Sequence, residues 1–162
     1  MKYPKKVVIG DITVRDGFQH EEQFIATDAK VWMLEQLILA GFKHLEVSNF
    51  GNPRGMPQFL DADEVFKKIR NSKLVKEKLD DVVLTAVTIR ERAIQRAIDA
   101  KKEGYGPDRI LLMVSTSESH QYKNSGLNLK DYWKMSEEWI KKAKDVGIKV
   151  NGTVSTIWGC PI

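Results

Sequence analysis

Short apolar runs rich in β-branched residues alternate with amphipathic segments along the chain. The runs are nearly continuous in apolar residues, which is typical of parallel strands that are covered on both faces. They occupy residues 6–14, 44–50, 81–88, 109–115 and 148–155. The pattern therefore predicts five parallel strands.

Amphipathic helices are predicted between these strands. Their expected ranges are 28–40, 62–71, 90–103 and 129–145. Gly104 and Gly147 follow the third and fourth helices as stop signals. The resulting order, βαβαβαβαβ, favours a parallel α/β fold with right-handed crossovers, either an open doubly wound sheet or part of a (βα)8 barrel.

Length and the missing phosphate loop favour the partial barrel. A complete barrel needs about 250 residues, whereas this chain has 162. An open sheet that binds nucleotides usually carries GxGxxG after its first strand, and GFQHEEQ does not match that pattern. Since no linker divides the chain, we expect residues 1–162 to form a single partial (βα)8-barrel domain, about half of a TIM barrel, with five strands and four helices.

Composition narrows the class of partner. The chain carries 26 basic and 22 acidic residues, a net charge of +4 without aromatic interleaving, so no nucleic-acid partner is expected. No apolar run approaches the ~18 residues of a membrane span, and the start lacks a signal-peptide pattern, so no membrane partner is expected. The single cysteine, Cys160, rules out an internal disulfide and predicts a reducing, cytoplasmic location.

Polar residues gather where the predicted strands end, the edge at which parallel α/β enzymes place their chemistry. The first strand ends with Asp11, Thr13, Arg15 and Asp16. If this strand continues through residue 15, then Asp11, Thr13 and Arg15 face one way, into the barrel. Such inward polar groups are costly unless they bind one another, a metal or a ligand.

Several of these residues have both a chemical and a structural interpretation. Asp16 offers hard oxygen ligands for Mg²⁺ or Mn²⁺, or it caps a turn or pairs with Arg15. Arg15 keeps its charge and can stabilise an enolate or carboxylate oxygen. Glu46 would orient Arg15 through a bidentate pair, or the two form a buried structural ion pair. His20 either reaches the substrate or lies on the surface.

The motifs resemble a superfamily of metal-dependent barrels, the DRE-TIM metallolyases. The first strand carries GDITVRDGFQHE, which is similar to that superfamily's Arg-Asp-Gly-x-Gln signature and most similar to its hydroxymethylglutaryl-CoA lyase branch. The resemblance continues in order through AGFKHLEVSNFGNPRGMPQFLDADEV, STSESHQYKN and GTVSTIWGCP. It therefore covers nearly the whole chain. Isopropylmalate and homocitrate synthases and the carboxyltransferase domains of pyruvate carboxylase are other members.

The resemblance implies a carbon–carbon lyase that converts a 3-hydroxyacyl-CoA into acetyl-CoA and a keto acid, with Mg²⁺ or Mn²⁺ as cofactor. Asp16 would be a metal ligand and Arg15 would stabilise the enolate. Asp11 would lie close to the proton transfer, and Glu46 would complete the catalytic group. The substrate-binding residues implied are Gln19, His20, Ser48, Ser155 and Thr156.

Departures from the lyase pattern leave other functions open. Asp11-x-Thr13 resembles the synthase and carboxyltransferase branches, so a Claisen-condensing acyltransferase or a carboxyltransferase acting on a keto acid is an alternative. His20 replaces an asparagine. The family's histidine pair, a further asparagine and a catalytic cysteine would lie beyond residue 162, and Cys160 does not match that cysteine. A complementary half-barrel chain or a homo-oligomer is therefore expected, and a non-catalytic half-barrel binding partner is the remaining alternative.

Overall fold

The computed structural model describes residues 2–159 and contains one sheet of five parallel strands. Neighbouring strands in the sheet are also neighbours in sequence, in the order β1-β2-β3-β4-β5. The strands are β1 (Gly10–Asp11), β2 (His44–Asn49), β3 (Val83–Thr88), β4 (Arg109–Ser115) and β5 (Lys149–Ser155). This sequential parallel order is that of a TIM barrel, and the predicted α/β half-barrel is confirmed.

Within residues 2–159, five α-helices accompany the strands, one more than predicted. They are α1 (Thr27–Leu39), α2 (Ala62–Arg70), α3 (Glu91–Lys102), α4 (Glu118–Ser125) and α5 (Leu129–Asp145). The prediction of four helices missed α4, because its sequence, ESHQYKNS, is polar on every face and shows no apolar period. The Ser117 hydroxyl accepts a hydrogen bond from the N–H of His120 at the start of α4 (3.4 Å), and Gly126 ends the helix.

The first strand is much shorter than the predicted range 6–14. Only β1 itself pairs with β2. Beyond it the chain leaves the sheet, because the Asp11 carboxylate accepts hydrogen bonds from the Thr13 N–H (2.8 Å) and the Thr13 hydroxyl (3.1 Å). A π-helical turn, Thr13–Gly17, follows. The expectation that alternate residues as far as Arg15 share one strand face is therefore wrong.

Helices cover one face of the sheet and form the core with it. In β4, Ile110 is buried whereas Leu111 is partly exposed, because side chains alternate between the two faces of a strand. Helix α5 contributes two large buried rings to the core, Tyr132 and Trp139, which meet edge to face with centroids 5.5 Å apart. The less covered face, which carries Leu111, is the one that faces inward in a closed barrel.

The loop after β2 is tied to α3 through Arg96. Its Nη1 donates to the carbonyl oxygens of Phe50 (3.0 Å) and Gly51 (3.4 Å), and its Nη2 lies 2.5 Å from a carboxylate oxygen of Asp63. The Tyr105 hydroxyl donates to the other oxygen of Asp63 (3.2 Å). Burial, followed by the charge of Asp63, raises the pKa of Tyr105 to about 12. These bonds hold the carboxyl end of β2 in place.

None of the helices within residues 2–159 combines the length and the apolar content that crossing a bilayer requires. Cys160, on which the expectation about disulfides rests, lies outside the described residues. The cytoplasmic location and the absence of a nucleic-acid partner stay predictions.

The turn from α3 into β4 brings Gly106 very close to the helix backbone. Its N–H donates to the carbonyl oxygen of Ala100 (2.9 Å). A Cβ added to Gly106 would lie 2.3 Å from the backbone nitrogen of Lys101 and 2.7 Å from the carbonyl carbon of Ala100. Because those atoms belong to the helix backbone and cannot rotate away, only glycine fits at this position.

We predict that Gly106→Ala lowers the free energy of unfolding by at least about 2 kcal/mol, because the end of α3 must shift to relieve the overlap. Urea unfolding followed by circular dichroism measures the effect. Gly152→Ala is the matched control, since no atom lies within 4 Å of an added Cβ there, and it should change stability by less than about 0.5 kcal/mol. Equal losses in the two variants would contradict the close-approach argument.

Candidate active site

Arg15 lies at the centre of the candidate site, between two carboxylates. Its Nε donates to Oε2 of Glu46 (2.6 Å), and its Nη2 lies 2.5 Å from the same oxygen. Its Nη1 lies 2.5 Å from Oδ1 of Asp16. The contact between Arg15 and Glu46 is therefore present. It differs from the predicted bidentate pair, because both nitrogens converge on one oxygen.

The π-helical turn gives Arg15 this position. The N–H groups of Arg15 and Asp16 both donate to the carbonyl oxygen of Ile12 (3.1 and 2.7 Å). The chain therefore winds around Ile12, and the guanidinium reaches sideways to β2. Glu46 stands on β2 just before the register shift between Glu46 and Ser48. Irregularities of both kinds, π-turns and bulges, are common beside functional sites.

The three charged side chains differ in their access to solvent. Arg15 and Glu46 are largely buried, with 13% and 16% of their side-chain surface exposed, whereas Asp16 is 48% exposed. A guanidinium this deeply buried needs a carboxylate partner, and Glu46 supplies it. Asp16 is therefore the carboxylate that a ligand can approach from solvent.

The described residues supply only part of a divalent-metal site. Residues 2–159 contain no group of three or more His, Cys, Asp or Glu side chains arranged to hold a metal ion. Mg²⁺ or Mn²⁺ takes about six ligands, mostly oxygens. Asp16 fits one such position, although its Oδ1 is also bonded to Arg15. The described part of the chain therefore does not fit a complete metal site by itself.

The other residues predicted on this side are placed differently. Both carboxylate oxygens of Asp11 accept hydrogen bonds from Thr13. Gln19 and His20 lie in a 3₁₀ turn, Phe18–His20, where Gln19 is partly buried and His20 is exposed. Ser48 is 2% exposed within β2. The catalytic role of Asp11 stays a prediction, as do the roles of Gln19, His20 and Ser48 as substrate contacts.

A second group, made of hydroxyl side chains, lies at the carboxyl ends of β4 and β5. The hydroxyl oxygens of Ser115 and Thr156 are 2.6 Å apart, and that of Thr116 is 3.3 Å from Thr156 Oγ1. Ser155 donates to the carbonyl oxygen of Val114 (3.3 Å). Thr156 has a φ of 61°, which is rare for a β-branched residue, and strained backbone of this kind clusters at functional sites.

A small cavity lies beside these hydroxyls. Its volume is about 10 Å³, roughly enough for one water molecule. The hydroxyl residues Ser115 and Ser155 line it together with His120 of α4, and Ile89 and Met113 give it an apolar side. The carboxyl ends of β4 and β5 can therefore hold a small polar group against an apolar surface.

The predicted residues thus form two groups at the same edge of the sheet. Arg15, Asp16 and Glu46 meet beside β1 and β2, whereas Ser155 and Thr156 lie beside β4 and β5. Strand β3 lies between the two groups. Because all strands are parallel, both groups lie at the carboxyl edge, where α/β barrels carry their active sites.

Sequence reasoning missed a buried polar cluster next to the Arg15 segment, formed by Lys30, Gln58 and Asp61. Lys30 is 2% exposed, and its Nζ lies 2.8 Å from Oδ1 of Asp61. One signal was available in the sequence. Lys30 falls on the same face of α1 as Leu34 and Ile38, which are buried, and a lysine in an apolar stripe indicates a buried partner.

Comparison with known proteins gives a single, consistent family. The HMGL-like family model matches residues 6–159. The chain is 29% identical over 161 residues to a hydroxymethylglutaryl-CoA lyase of Bacillus subtilis, covering 99% of this chain and 50% of that protein. It is 30% identical over 159 residues to the mitochondrial hydroxymethylglutaryl-CoA lyase of Bos taurus, covering 98% of this chain and 45% of that protein.

Solved structures agree with this result. The crystal structure of the Bacillus subtilis HMG-CoA lyase matches with a TM-score of 0.84 and 28% identity, over 99% of this chain and 50% of that one. An Acinetobacter baumannii HMG-CoA lyase in complex with coenzyme A and 3-methylmalate matches with a TM-score of 0.81 and 26% identity, over 96% of this chain and 47% of that one.

The chain spans about half the length of the curated relatives it matches. The family match extends over residues 6–159, which is almost the whole of the described range. The resemblance found in the sequence motifs is therefore confirmed, and the chain belongs to the HMGL-like family.

Proposed function

We propose that this chain is the N-terminal part of a divalent-metal-dependent carbon–carbon lyase that cleaves a 3-hydroxyacyl-CoA. The observation that carries the proposal is the Arg15 guanidinium, held by Glu46 at the carboxyl edge of a half-barrel. Membership of the HMGL-like family and the similarity to proteins named hydroxymethylglutaryl-CoA lyase support the reaction class. The acyl-CoA substrate is proposed on the same basis.

In this reaction the bond between C2 and C3 of the acyl chain breaks. The 3-hydroxyl loses its proton and becomes the ketone of the keto acid, and the electron pair moves onto the thioester as an enolate. Protonation of C2 then gives acetyl-CoA. Arg15 would bind the thioester oxygen, where negative charge develops, and a fixed cation stabilises that charge most effectively in a site that excludes water. Glu46 would keep the guanidinium oriented.

The remaining residues have roles that follow from their positions. Asp11 would lie near the proton transfer. Its hydrogen bonds from Thr13 would have to break before its oxygens could take part. Gln19 and His20 would contact the substrate on the β1 side. The substrate contacts proposed elsewhere in the site are Ser48, Ser155 and Thr156.

Asp16 would supply one ligand of the Mg²⁺ or Mn²⁺ ion. Its half-exposed carboxylate fits a hard divalent cation. The ion would polarise the oxygens of the substrate. Because residues 2–159 contain no three-residue cluster that could hold a metal ion, the other ligands would come from groups outside the described residues.

We propose that three further βα units complete the site. The described residues form a sheet of five strands, and a TIM barrel has eight. Two copies of this chain would supply ten, so a barrel closed by self-association fits less well than one closed by a different segment. The inward face supports this: among the described residues, Arg109 Nε is a buried side-chain nitrogen without a hydrogen-bond partner, and an acceptor on the closing strands would satisfy it.

A condensing enzyme of the same superfamily is the second candidate. The observation in its favour is the Asp11-x-Thr13 element, in which the two side chains bind each other (3.1 Å). Such an enzyme would join acetyl-CoA to a 2-keto acid, and a carboxyltransferase would also act on a keto acid. A non-catalytic half-barrel would bind these ligands without turnover. The cytoplasm stays the proposed compartment.

The first prediction from the proposed function concerns complementation. When this chain is co-expressed with the half of the Bacillus subtilis lyase that it does not cover, the purified complex should cleave hydroxymethylglutaryl-CoA in the presence of Mn²⁺. Arg15→Met should lower kcat by about 10²–10³-fold, the usual effect of removing one group that stabilises an oxyanion. Arg92→Met, at an exposed position of α3, is the matched control.

Light scattering first establishes that the two parts form one particle. An assembled particle without turnover would contradict the lyase proposal. Consumption of acetyl-CoA with a 2-keto acid, in place of cleavage, would favour the condensing enzyme.

Metal binding gives a second prediction. Alone, the chain should bind Mn²⁺ only at about millimolar concentration, because one carboxylate replaces few of the ion's waters. The complemented particle should bind it at least about tenfold more tightly, since more ligands are fixed in advance. Electron paramagnetic resonance of free Mn²⁺ measures both. Asp16→Asn should abolish the difference in Mn²⁺ affinity between the isolated chain and the complemented particle. Asp80→Asn, at an exposed site, is the control and should retain that difference. Micromolar binding of Mn²⁺ by the isolated chain would contradict the argument that it supplies only one ligand.

The Arg15–Glu46 pair gives a third prediction. A double-mutant cycle with Arg15→Met and Glu46→Gln should show a coupling free energy of about 1–3 kcal/mol, because the contact is largely buried. Urea unfolding measures it. The control cycle uses Lys43 and Asp81, whose side chains are 46% and 80% exposed, and should give less than about 0.5 kcal/mol. No difference between the cycles would mean that Glu46 does not hold Arg15.

A further inference from the structure

Residues 21–25 follow the candidate site directly and combine exposed side chains with a fixed backbone. Glu21, Glu22, Gln23 and Phe24 are all exposed, so apart from the contact of Phe24 with Lys30 their own packing contributes little to order in this segment. Three of its backbone groups nevertheless bond to one side chain of another loop, that of Gln58.

Gln58 matches these three groups in number and type. Its Nε2 donates to the carbonyl oxygens of Glu21 (2.8 Å) and Gln23 (2.6 Å), and its Oε1 accepts from the N–H of Ile25 (3.1 Å). The side chain is 3% exposed. Two donors and one acceptor in one plane are the inventory of a primary amide. A carboxylate or a thioether of the same length cannot replace it.

The main chain of Gln58 is itself held by a hydrogen bond from α1. Its carbonyl oxygen accepts a hydrogen bond from the buried ammonium of Lys30. The same ammonium lies 2.8 Å from Oδ1 of Asp61 and 4.2 Å from the ring centre of Phe24. The other oxygen of Asp61 accepts the hydroxyl of Thr27 (2.8 Å). The backbone of Gln58 is therefore fixed to α1, which also fixes the position of the side-chain amide that holds residues 21–25.

Gln19 and His20 lie between two fixed points. On one side, Arg15 is bound to β2 through Glu46. On the other, Glu21 closes the 3₁₀ turn through its N–H (3.2 Å) and is held by Gln58 through its carbonyl oxygen. Because the turn is short, fixing both of its ends fixes the direction in which its side chains project.

We propose that Gln58 is a positioning residue of the active site: it holds residues 21–25 and thereby presents Gln19 and His20 to the acyl-CoA substrate. This inference rests on the proposed function for the identity of the ligand. Gln58 acts through the loop rather than on the substrate, because its amide is already used by the three backbone bonds.

The test uses the complete chain and the variant Gln58→Met, which removes both donors and the acceptor but keeps a side chain of similar length. Amide exchange measured by NMR should be at least about tenfold faster for Ile25, with the amides of α3 and α5 unchanged within about twofold. The imidazole resonances of His20 should shift, while those of His44 and His120 stay in place. Gln95→Met, the same change at an exposed position of α3, should do neither.

Gln58→Glu is the second variant and decides the matter if the first does not fold. It keeps the acceptor for Ile25 but directs a carboxylate at two carbonyl oxygens, so it should release Glu21 and Gln23 and shift the His20 resonances. Unchanged exchange at Ile25 in Gln58→Met, or unmoved His20 resonances in either variant, would overturn the proposal. A uniform rise in exchange through α3 and α5 would also overturn it, because Gln58 would then serve only the global fold.

In the complemented lyase, Gln58→Met should raise KM about tenfold and change kcat by less than about threefold, since it loosens a binding loop and leaves Arg15 in place. A fall in kcat at constant KM would overturn the positioning role. Absence of turnover in the complex that carries no substitution would contradict the proposed function alone. The exchange and imidazole measurements need no turnover and would still decide what Gln58 does.

Discussion

The contact between Arg15 and Glu46 joins the turn after β1 to the body of the sheet, and the candidate site depends on it. Strand β1 pairs with β2 over only two residues, which is too little to fix the chain that follows. Val14 packs into the core, next to Arg15 in sequence, so the turn presents one apolar and one charged side chain to the sheet. Burial fixes the first, and the ion pair fixes the second.

Much of the fold could be predicted because helices and strands have characteristic local patterns of apolar residues in the sequence. Strands β2 to β5 and helices α1, α2, α3 and α5 follow the apolar periods, and the stops at Gly104 and Gly147 have the positive φ angles, 88° and 79°, that such ends require. The predicted length of the first strand was wrong for an equally local reason. The Asp11 carboxylate competes for the backbone of Thr13 and ends the strand early, and an apolar pattern does not record that competition.

The candidate site was predictable in its residues but not in its arrangement. The Arg-Asp-Gly-x-Gln motif identified Arg15 and Asp16, yet the contacts that organise the site join residues far apart in sequence. Gln58 lies 33 to 37 positions from the groups it binds, and Ser115 lies 41 positions from Thr156. Both residues lie in segments that resemble the family, but the resemblance does not show which groups they bind. Only the tertiary fold shows that a glutamine in a short loop meets two carbonyls and an N–H.

In the half-barrel, the candidate site lies open to solvent. Electrostatic stabilisation by Arg15 grows as the surrounding dielectric constant falls, and Asp16 beside it is still 48% exposed. Closing the barrel would remove water from the carboxyl edge. The cluster of hydroxyl side chains around Thr156 would then lie across the mouth of the barrel from Arg15. Under the proposed function, the same side chains would then act in an enclosed, pre-oriented site. The catalytic role proposed for Arg15 therefore depends on closure of the barrel.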